Sequence, residues 1–192
     1  AQTIVKEYVR RDHDHEFGTN PCSEIILRPY QFCNLTEVIV RAEDTIETLK
    51  RKARLATILG TFQATLTHFP YLRKIWRDNT EAERLLGVSM TGVFDNHLFT
   101  DPTNPEMIGT LQALRDHTIE VNAEFADILG IQKSAAITAI KPSGTVSQRC
   151  DTASGLHARH AEYYFRRVRA DNKDPLTQFM IKSAIPNEPD VT

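Results

Sequence analysis

Stretches of strand character and stretches of helix character alternate along this chain, and that alternation narrows the fold more than any other feature. Residues 35–41, Leu-Thr-Glu-Val-Ile-Val-Arg, are rich in β-branched side chains and read as a strand. Glu43-Asp44 then puts acids in the first turn of a helix. Ile46, Leu49, Ala53, Ala56 and Leu59 recur at helical spacing to about residue 68, and Pro70 closes the segment. Residues 84–93 read as a buried strand, with Gly87 and Gly92 where chains approach closely. Asn104-Pro105-Glu106 supplies the cap and first-turn proline of a second helix. Its stripe of Leu111, Leu114, Thr118, Val121, Phe125 and Ile128 ends at Gly130. Residues 135–140 form a third short strand, 163–169 alternate enough for a fourth, and Asp174-Pro175 opens a last helix that ends before Pro186. The order β-α-β-α-β with helical crossovers implies an α/β fold with a largely parallel sheet or barrel and right-handed connections.

The chain has the size of one domain, 192 residues, and its 41% hydrophobic and 25% charged residues fit a globular protein. A net charge of −2 argues against DNA or RNA as a partner, which would require a basic face. Arg166, Arg167 and Arg169 read as a solvated strand face able at most to grip a small anion. No apolar run reaches the length of a membrane span, and the short apolar start is interrupted by Lys6, Arg10 and Arg11, so the cytoplasm is the expected location. Three cysteines there suit catalysis or redox work better than a disulfide framework.

The densest polar cluster is Asn20-Pro21-Cys22-Ser23-Glu24, in a loop fenced by Gly18 and Pro21. On extended chain Asn20, Cys22 and Glu24 face one side, so an amide, a thiol and a carboxylate converge. Such a trio suits a polyhydroxylated substrate: the carboxylate takes a hydroxyl proton, the amide fixes hydroxyl orientation, and the sulfur acts as nucleophile or radical. The same residues also fit a buried cysteine beside a turn asparagine and a surface glutamate. A second candidate is Lys141-Pro-Ser-Gly-Thr-Val-Ser147, between a strand and a helix start. Backbone amides there, with the hydroxyls of Ser143 and Thr145, could bind phosphate without net positive charge, or could be a plain helix cap. It is not a Walker loop. Cys150 reads as a structural thiol, Trp76 and the phenylalanines as core, and His13 and His15 as part of a solvated terminus, so no metal site is expected. His157 and His160 receive no role.

The longer string Phe17-Gly-Thr-Asn-Pro-Cys-Ser-Glu-Ile-Ile-Leu-Arg28, followed by Phe32-Cys33-Asn-Leu-Thr-Glu37, resembles the finger loop of ribonucleotide reductases, most nearly the monomeric adenosylcobalamin-dependent (class II) type. The gap from Cys22 to Cys33 matches that type. The resemblance continues through Ala64-Thr-Leu-Thr67, Glu83–Gly92, Lys141–Ser147, Gly155-Leu-His157 and Tyr163–Arg169. It implies that Cys22 is the thiyl radical that removes hydrogen from C3′ of the ribose. Glu24 would take the 3′-hydroxyl proton, Asn20 would hold the ribose hydroxyls, and Cys33 would be one of two reducing thiols that end as a disulfide. Ser143, Gly144, Thr145 and Val146 would cradle the nucleotide phosphates. The implied cofactor is adenosylcobalamin, the reductant an external dithiol such as thioredoxin, and the substrate a ribonucleoside triphosphate or diphosphate. The implied fold is the second half of a ten-stranded α/β barrel around a central finger loop, filling residues 1–192.

The sequence departs from a complete reductase of that family. No cysteine precedes Cys22 to pair with Cys33, and the effector region and C-terminal cysteine pair are lacking. The expectation is a partial catalytic barrel that needs the remaining part of the reductase chain, inactive alone. The competing expectation is a nucleotide-binding remnant that keeps the phosphate turn without the chemistry.

Overall fold

A computed structural model describes residues 11–101 and 103–190 of the chain, so the expectations for residues 1–10 lie outside the described residues. The chain divides into two units at Arg159/His160.

In the first unit a small hairpin pairs β1 (Gly18–Thr19) with β2 (Ile26–Leu27). The chain then enters β3 (Asn34–Ile39), crosses through helices α1 (Ile46–Gln63) and α2 (Lys74–Glu83), and returns as β4 (Leu86–Thr91), parallel to β3 and in register from Asn34↔Leu86 to Ile39↔Thr91. A 3₁₀ turn (Val93–Asp95) and the short α3 (His97–Thr100) lead to the long α4 (Pro105–Leu129). The third expected strand is reduced to an extended segment beside β4 with one isolated parallel bridge: Thr138 bridges Val88, and Leu86 N, Val88 N and Ala139 N bond to Ala136 O, Ile137 O and Val88 O. One complete β-α-β crossover, from β3 to β4, is present as the alternation predicts, and the second returns to an extended segment held by a single bridge. Among the described residues the sheet does not close into a barrel.

The helix ends follow their sequence signals. Asn104 Oδ1 accepts from Glu106 N, Pro105 occupies the first turn, and Gly130 closes α4 at φ 65°. α1 starts one step later than its acids suggest. Thr45 and Thr48 form a reciprocal capping box, and Asp44 precedes it, accepting from Arg41 N and Thr48 Oγ1. The buried stripe of α1 is also rotated: Leu49, Ala53 and Ala56 are buried, but Leu59 is exposed, and Thr57, Gly60 and Thr61 face the core instead. Thr57 and Thr61 donate to Ala53 O and Thr57 O, which removes the cost of burying their hydroxyls. Small residues there let α1 lie close on β4, where a Cβ on Gly60 would already touch Leu86. On α4, Leu114, Thr118 and Val121 are buried as expected, whereas Ile128 is exposed.

The core has two parts. Val38, Ala56, Leu86, Val88 and Ile137 pack between sheet and α1, and Val40, Leu49, Val93, Phe99 and Leu114 pack beyond the C-terminal end of β3. Trp76 is half-buried, stacked on Phe32 with ring centroids 4.7 Å apart. Cys150 is half-buried at the end of helix α5 (Thr145–Arg149). No helix among the described residues is long and apolar enough to cross a membrane.

The second unit corrects one expectation. Residues 163–169 form no strand, and every one of them is exposed. An alternating pattern describes side chains only, and a strand also needs a partner for its backbone N–H and C=O groups, and among the described residues of its unit this segment pairs with none. The last helix, α6 (Pro175–Lys182), is where the sequence puts it, capped by Asp174 through Leu176 N. Within this unit Arg167 and Arg169 pair with Glu188 and Asp190, as expected of solvated arginines.

Candidate active site

The hairpin loop is a turn folded on itself rather than extended chain. Asn20 N bonds to Ile25 O at 3.2 Å, Asn20 Oδ1 accepts from Ile25 N at 3.1 Å, and Ser23 N reaches Asn20 O at 2.9 Å. Ser23 sits at φ 63° to complete the turn. Asn20 thus ties both ends of the loop, and its Nδ2 donates to Glu24 Oε2 at 2.6 Å. Asn20 and Glu24 meet as expected, but by closure of the turn and not by strand alternation. Cys22 lies at the exposed tip.

The Glu24 side chain is only 1% exposed. Its second oxygen faces Lys141, whose Nζ lies 3.4 Å from Oε1. Burial pushes the carboxyl upward; the backbone N–H of Glu24, the hydrogen bonds from Asn20 and Lys141 and the Lys141 charge outweigh it and hold the group below its ordinary value. A cavity of about 80 Å³ adjoins the site, lined among others by Glu24, Arg11, Ile25 and Thr138.

Cys33 immediately precedes β3, whose first residue is anchored by Asn34 N to Leu85 O. Its Sγ lies beside Gly87 and next to the hairpin: a Cβ placed on Gly87 would meet Ile25 Cδ1 at 3.2 Å and Cys33 Sγ at 3.5 Å. The Cys33 thiol is pushed up to about 12, first by burial and then by the negative charge of Glu24. On its other side the thiol borders an open cavity of about 230 Å³ with Phe32, Leu66 and Phe69 in its wall. At pH 8 the thiolate fraction is roughly a thousandfold below that of an ordinary thiol, at one decade per unit. Alkylation of Cys33 by iodoacetamide should be slower by about that factor, while exposed Cys22 reacts readily. Peptide mass spectrometry of native and denatured protein measures both; equal native rates would contradict the assignment.

The second candidate segment follows the third strand. Ser143 is buried, and its Oγ accepts from Ser147 N at 3.2 Å, so this hydroxyl, one residue before the N-cap Gly144, is spent on the first turn of α5. Gly144, Thr145 and Val146 are exposed, and their amides lie in the first turn, where a helix leaves N–H groups unpaired. Behind them Ser154 Oγ donates to Ser143 O, and Gly155 sits at φ 53°, where an added Cβ would come within 3.3 Å of Lys141 O. The end of β4 holds this support: Thr91 Oγ1 donates to Ala153 O and accepts from Gly155 N. Asp95 accepts from Ala153 N and is paired with Arg159 through both oxygens.

No protein-family model matches this chain. The adenosylcobalamin-dependent ribonucleoside-triphosphate reductase of Lacticaseibacillus paracasei is 30% identical over 97% of this chain and 28% of its own length. The enzyme of the same name from Lactobacillus helveticus is 32% identical over 94% of this chain and 27% of its own. A crystal structure of a B12-dependent (class II) ribonucleotide reductase superposes with a TM-score of 0.57 at 28% identity, covering 75% of this chain and 23% of that one. The chain is homologous to a segment of these reductases. It spans about a quarter of the length of the relatives it matches.

The largest feature that sequence reasoning missed is a buried charge cluster beneath the hairpin. Glu83, fully buried, accepts from Arg11 Nε (3.0 Å), Arg11 Nη2 (2.8 Å) and Gln31 Nε2 (2.7 Å), with Arg28 Nη2 3.0 Å away. Arg11 Nη2 also donates to Ile26 O, which fixes β2. Lys141 was missed as well. It opens a recognised motif, but nothing local marks it as the partner of Glu24. No group of three or more potential metal ligands is present among the described residues.

Proposed function

We propose that this segment carries the reaction centre of ribonucleotide reduction: a ribonucleotide, most naturally a triphosphate, loses its 2′-hydroxyl as water through thiyl-radical chemistry. The observation that carries the reading is the buried carboxylate of Glu24, held by Asn20 in a closed turn with Cys22 at its tip and the protonated thiol of Cys33 beside it. Cys22 takes the hydrogen from C3′. Glu24 accepts the 3′-hydroxyl proton, its anionic form favoured by its donors. Asn20 orients the ribose hydroxyls. Cys33, kept as S–H rather than thiolate, is suited to donate hydrogen to the substrate radical and then to form a disulfide with a second thiol from the rest of the reductase, the two thiols together supplying the two electrons of the reduction. The exposed amides of Gly144, Thr145 and Val146 take the phosphates, with Ser143 holding the turn in shape.

The exposure of Cys22 is what bears on adenosylcobalamin: its thiol is open to a radical source outside the hairpin, whereas the cavities beside the site are far smaller than a corrin ring. When bound, the coenzyme supplies the radical that the thiol needs. No residue of this chain is assigned to it. The remaining proposals are a dithiol reductant of the thioredoxin type, a cytoplasmic location, and a place for the chain, residues 1–192, as a partial catalytic α/β barrel completed by the rest of the reductase.

The test is direct. Full-length polypeptide, adenosylcobalamin, a dithiol and a ribonucleoside triphosphate should yield the 2′-deoxynucleotide, measured by chromatography. Tight nucleotide binding with no deoxynucleotide under any reductant would favour a binding remnant instead.

A further inference from the structure

Each oxygen of Glu24 already accepts from one side chain. Asn20 holds Oε2 at 2.6 Å, a short bond inside a turn that Asn20 itself ties. Lys141 holds Oε1 at 3.4 Å, a long contact from a side chain 31% exposed. Each oxygen can accept a second bond, but an ammonium on Oε1 lowers the basicity of the carboxylate and crowds that oxygen, and of the two donors the weaker is Lys141. The other cation near the site, Arg11, cannot be the one that moves: its Nε and Nη2 are committed to Glu83 and Ile26 O, and its side chain is 2% exposed. Lys141 is also the first residue of the segment that ends in the exposed amides of Gly144–Val146. A Cβ added at Gly155 would come within 3.3 Å of Lys141 O, so the two backbones run close together there, and the exposed part of Lys141 is its side chain.

We propose that Lys141 is a positioning residue that couples phosphate occupancy to the readiness of the base: it caps Glu24 Oε1 in the free protein and turns to the phosphates of a bound nucleotide, leaving Oε1 for the ribose hydroxyl. This rests on the phosphate-binding and base roles proposed above. The chemistry is one ammonium shared between two anions. A polyphosphate carries more charge than a single carboxylate and wins the competition when it is present. In its absence the capped carboxylate is a poor base, so proton transfer is tied to a correctly seated substrate. The charged and titratable groups facing Glu24 are Lys141, Arg11 across the small cavity, and the Cys33 thiol; of these Lys141 alone is half-exposed and held by one contact.

The experiment follows the Glu24 carboxyl itself in the full-length protein labelled with ¹³C at glutamate Cδ, the signal assigned by its loss in Glu24→Gln. CTP and cytidine are compared, with CTP binding read independently from ³¹P line broadening. In the wild type, saturating CTP should raise the Glu24 titration midpoint, and cytidine should not. In Lys141→Met the midpoint should start higher and no longer respond, and the Kd for CTP should rise about tenfold, the size expected for one lost charge-assisted contact. Lys141→Arg keeps the charge and should restore the response; it also serves if the methionine variant fails to fold. Failure of CTP to bind at all overturns the phosphate reading beneath the proposal. CTP binding with an unmoved Glu24 midpoint overturns the role of Lys141 alone.

Discussion

Glu83→Gln should cost about 3–5 kcal/mol of folding stability, the range for breaking a buried ion pair from one side. The Glu83 carboxylate has no exposure and serves two guanidiniums that are themselves nearly buried, with Gln31 as a further donor. The cluster already holds two positive charges against one negative, and Arg28 Nε has no acceptor. Removing the anion leaves both guanidiniums buried without a counter-charge, and a glutamine amide turns an N–H₂ toward groups that can only donate. Against a typical total of about 5–15 kcal/mol, such a loss leaves little margin. The damage should concentrate at the hairpin, because Arg11 bonds to Ile26 O and Gln31 Oε1 accepts from Arg28 N. The pH dependence has a defined sign. Burial alone would raise the Glu83 carboxyl, but Arg11, Gln31 and Arg28 hold it below its ordinary value of 4.5. Its contribution is therefore fully present above that value and is lost as pH falls through the depressed one. Urea unfolding from neutral to acid pH measures both effects. The variant should have a lower midpoint at neutral pH and a flatter acid limb. A loss under about 1 kcal/mol, the level of an exposed pair, would mean the cluster does not hold the hairpin.

That this cluster escaped the sequence reading shows where such reading stops. β3, β4, α1 and α4 were legible because each carries its own period of apolar residues and, in α4, its own caps at Asn104 and Gly130. α2 was not. Its sequence Lys-Ile-Trp-Arg-Asp-Asn-Thr-Glu-Ala-Glu is mostly polar, and Arg73 caps it without a side-chain bond. Residues 163–169 failed in the opposite sense, with a local alternation that no neighbouring strand satisfies. In the site, Asn20 and Glu24 lie four residues apart, and one turn brings them together, so their meeting could be read from the chain. Glu83 meets Arg11 across 72 residues, and Lys141 meets Glu24 across 117. Pairings of that span are set by how the crossovers stack, and no residue type or local spacing reports them. The same holds for Cys33: its distance in sequence from Cys22 marked it as a thiol of interest, but only the packing of Ile25 and Gly87 around its sulfur puts it beside the hairpin.

Cys22→Ser should leave the fold and nucleotide binding intact while turnover falls by at least about a thousandfold, as when a residue that acts chemically is lost. The substitution exchanges one atom at an exposed hairpin tip, where no packing is disturbed and the turn is tied by Asn20 rather than by residue 22. The phosphate segment lies elsewhere in the chain, so the Kd for a ribonucleoside triphosphate should stay within about twofold, inside the scatter expected of neutral surface changes. Turnover responds differently because an O–H bond is much stronger than an S–H bond. A radical source able to take hydrogen from a thiol does not take it from serine, and an oxygen at that position cannot relay the radical to C3′. The contrast with Glu24→Gln sharpens the result. That variant removes a proton acceptor but leaves the thiol, so it should slow the reaction and flatten its acid limb without preventing hydrogen exchange between radical source and Cys22. Tritium exchange from labelled coenzyme, run beside product analysis, separates the two variants: exchange should survive in Glu24→Gln and vanish in Cys22→Ser. Deoxynucleotide formation by Cys22→Ser at a rate near that of the wild type would remove the thiyl radical from this sulfur, and with it the reason for a carboxylate, an amide and a second thiol to gather around this turn.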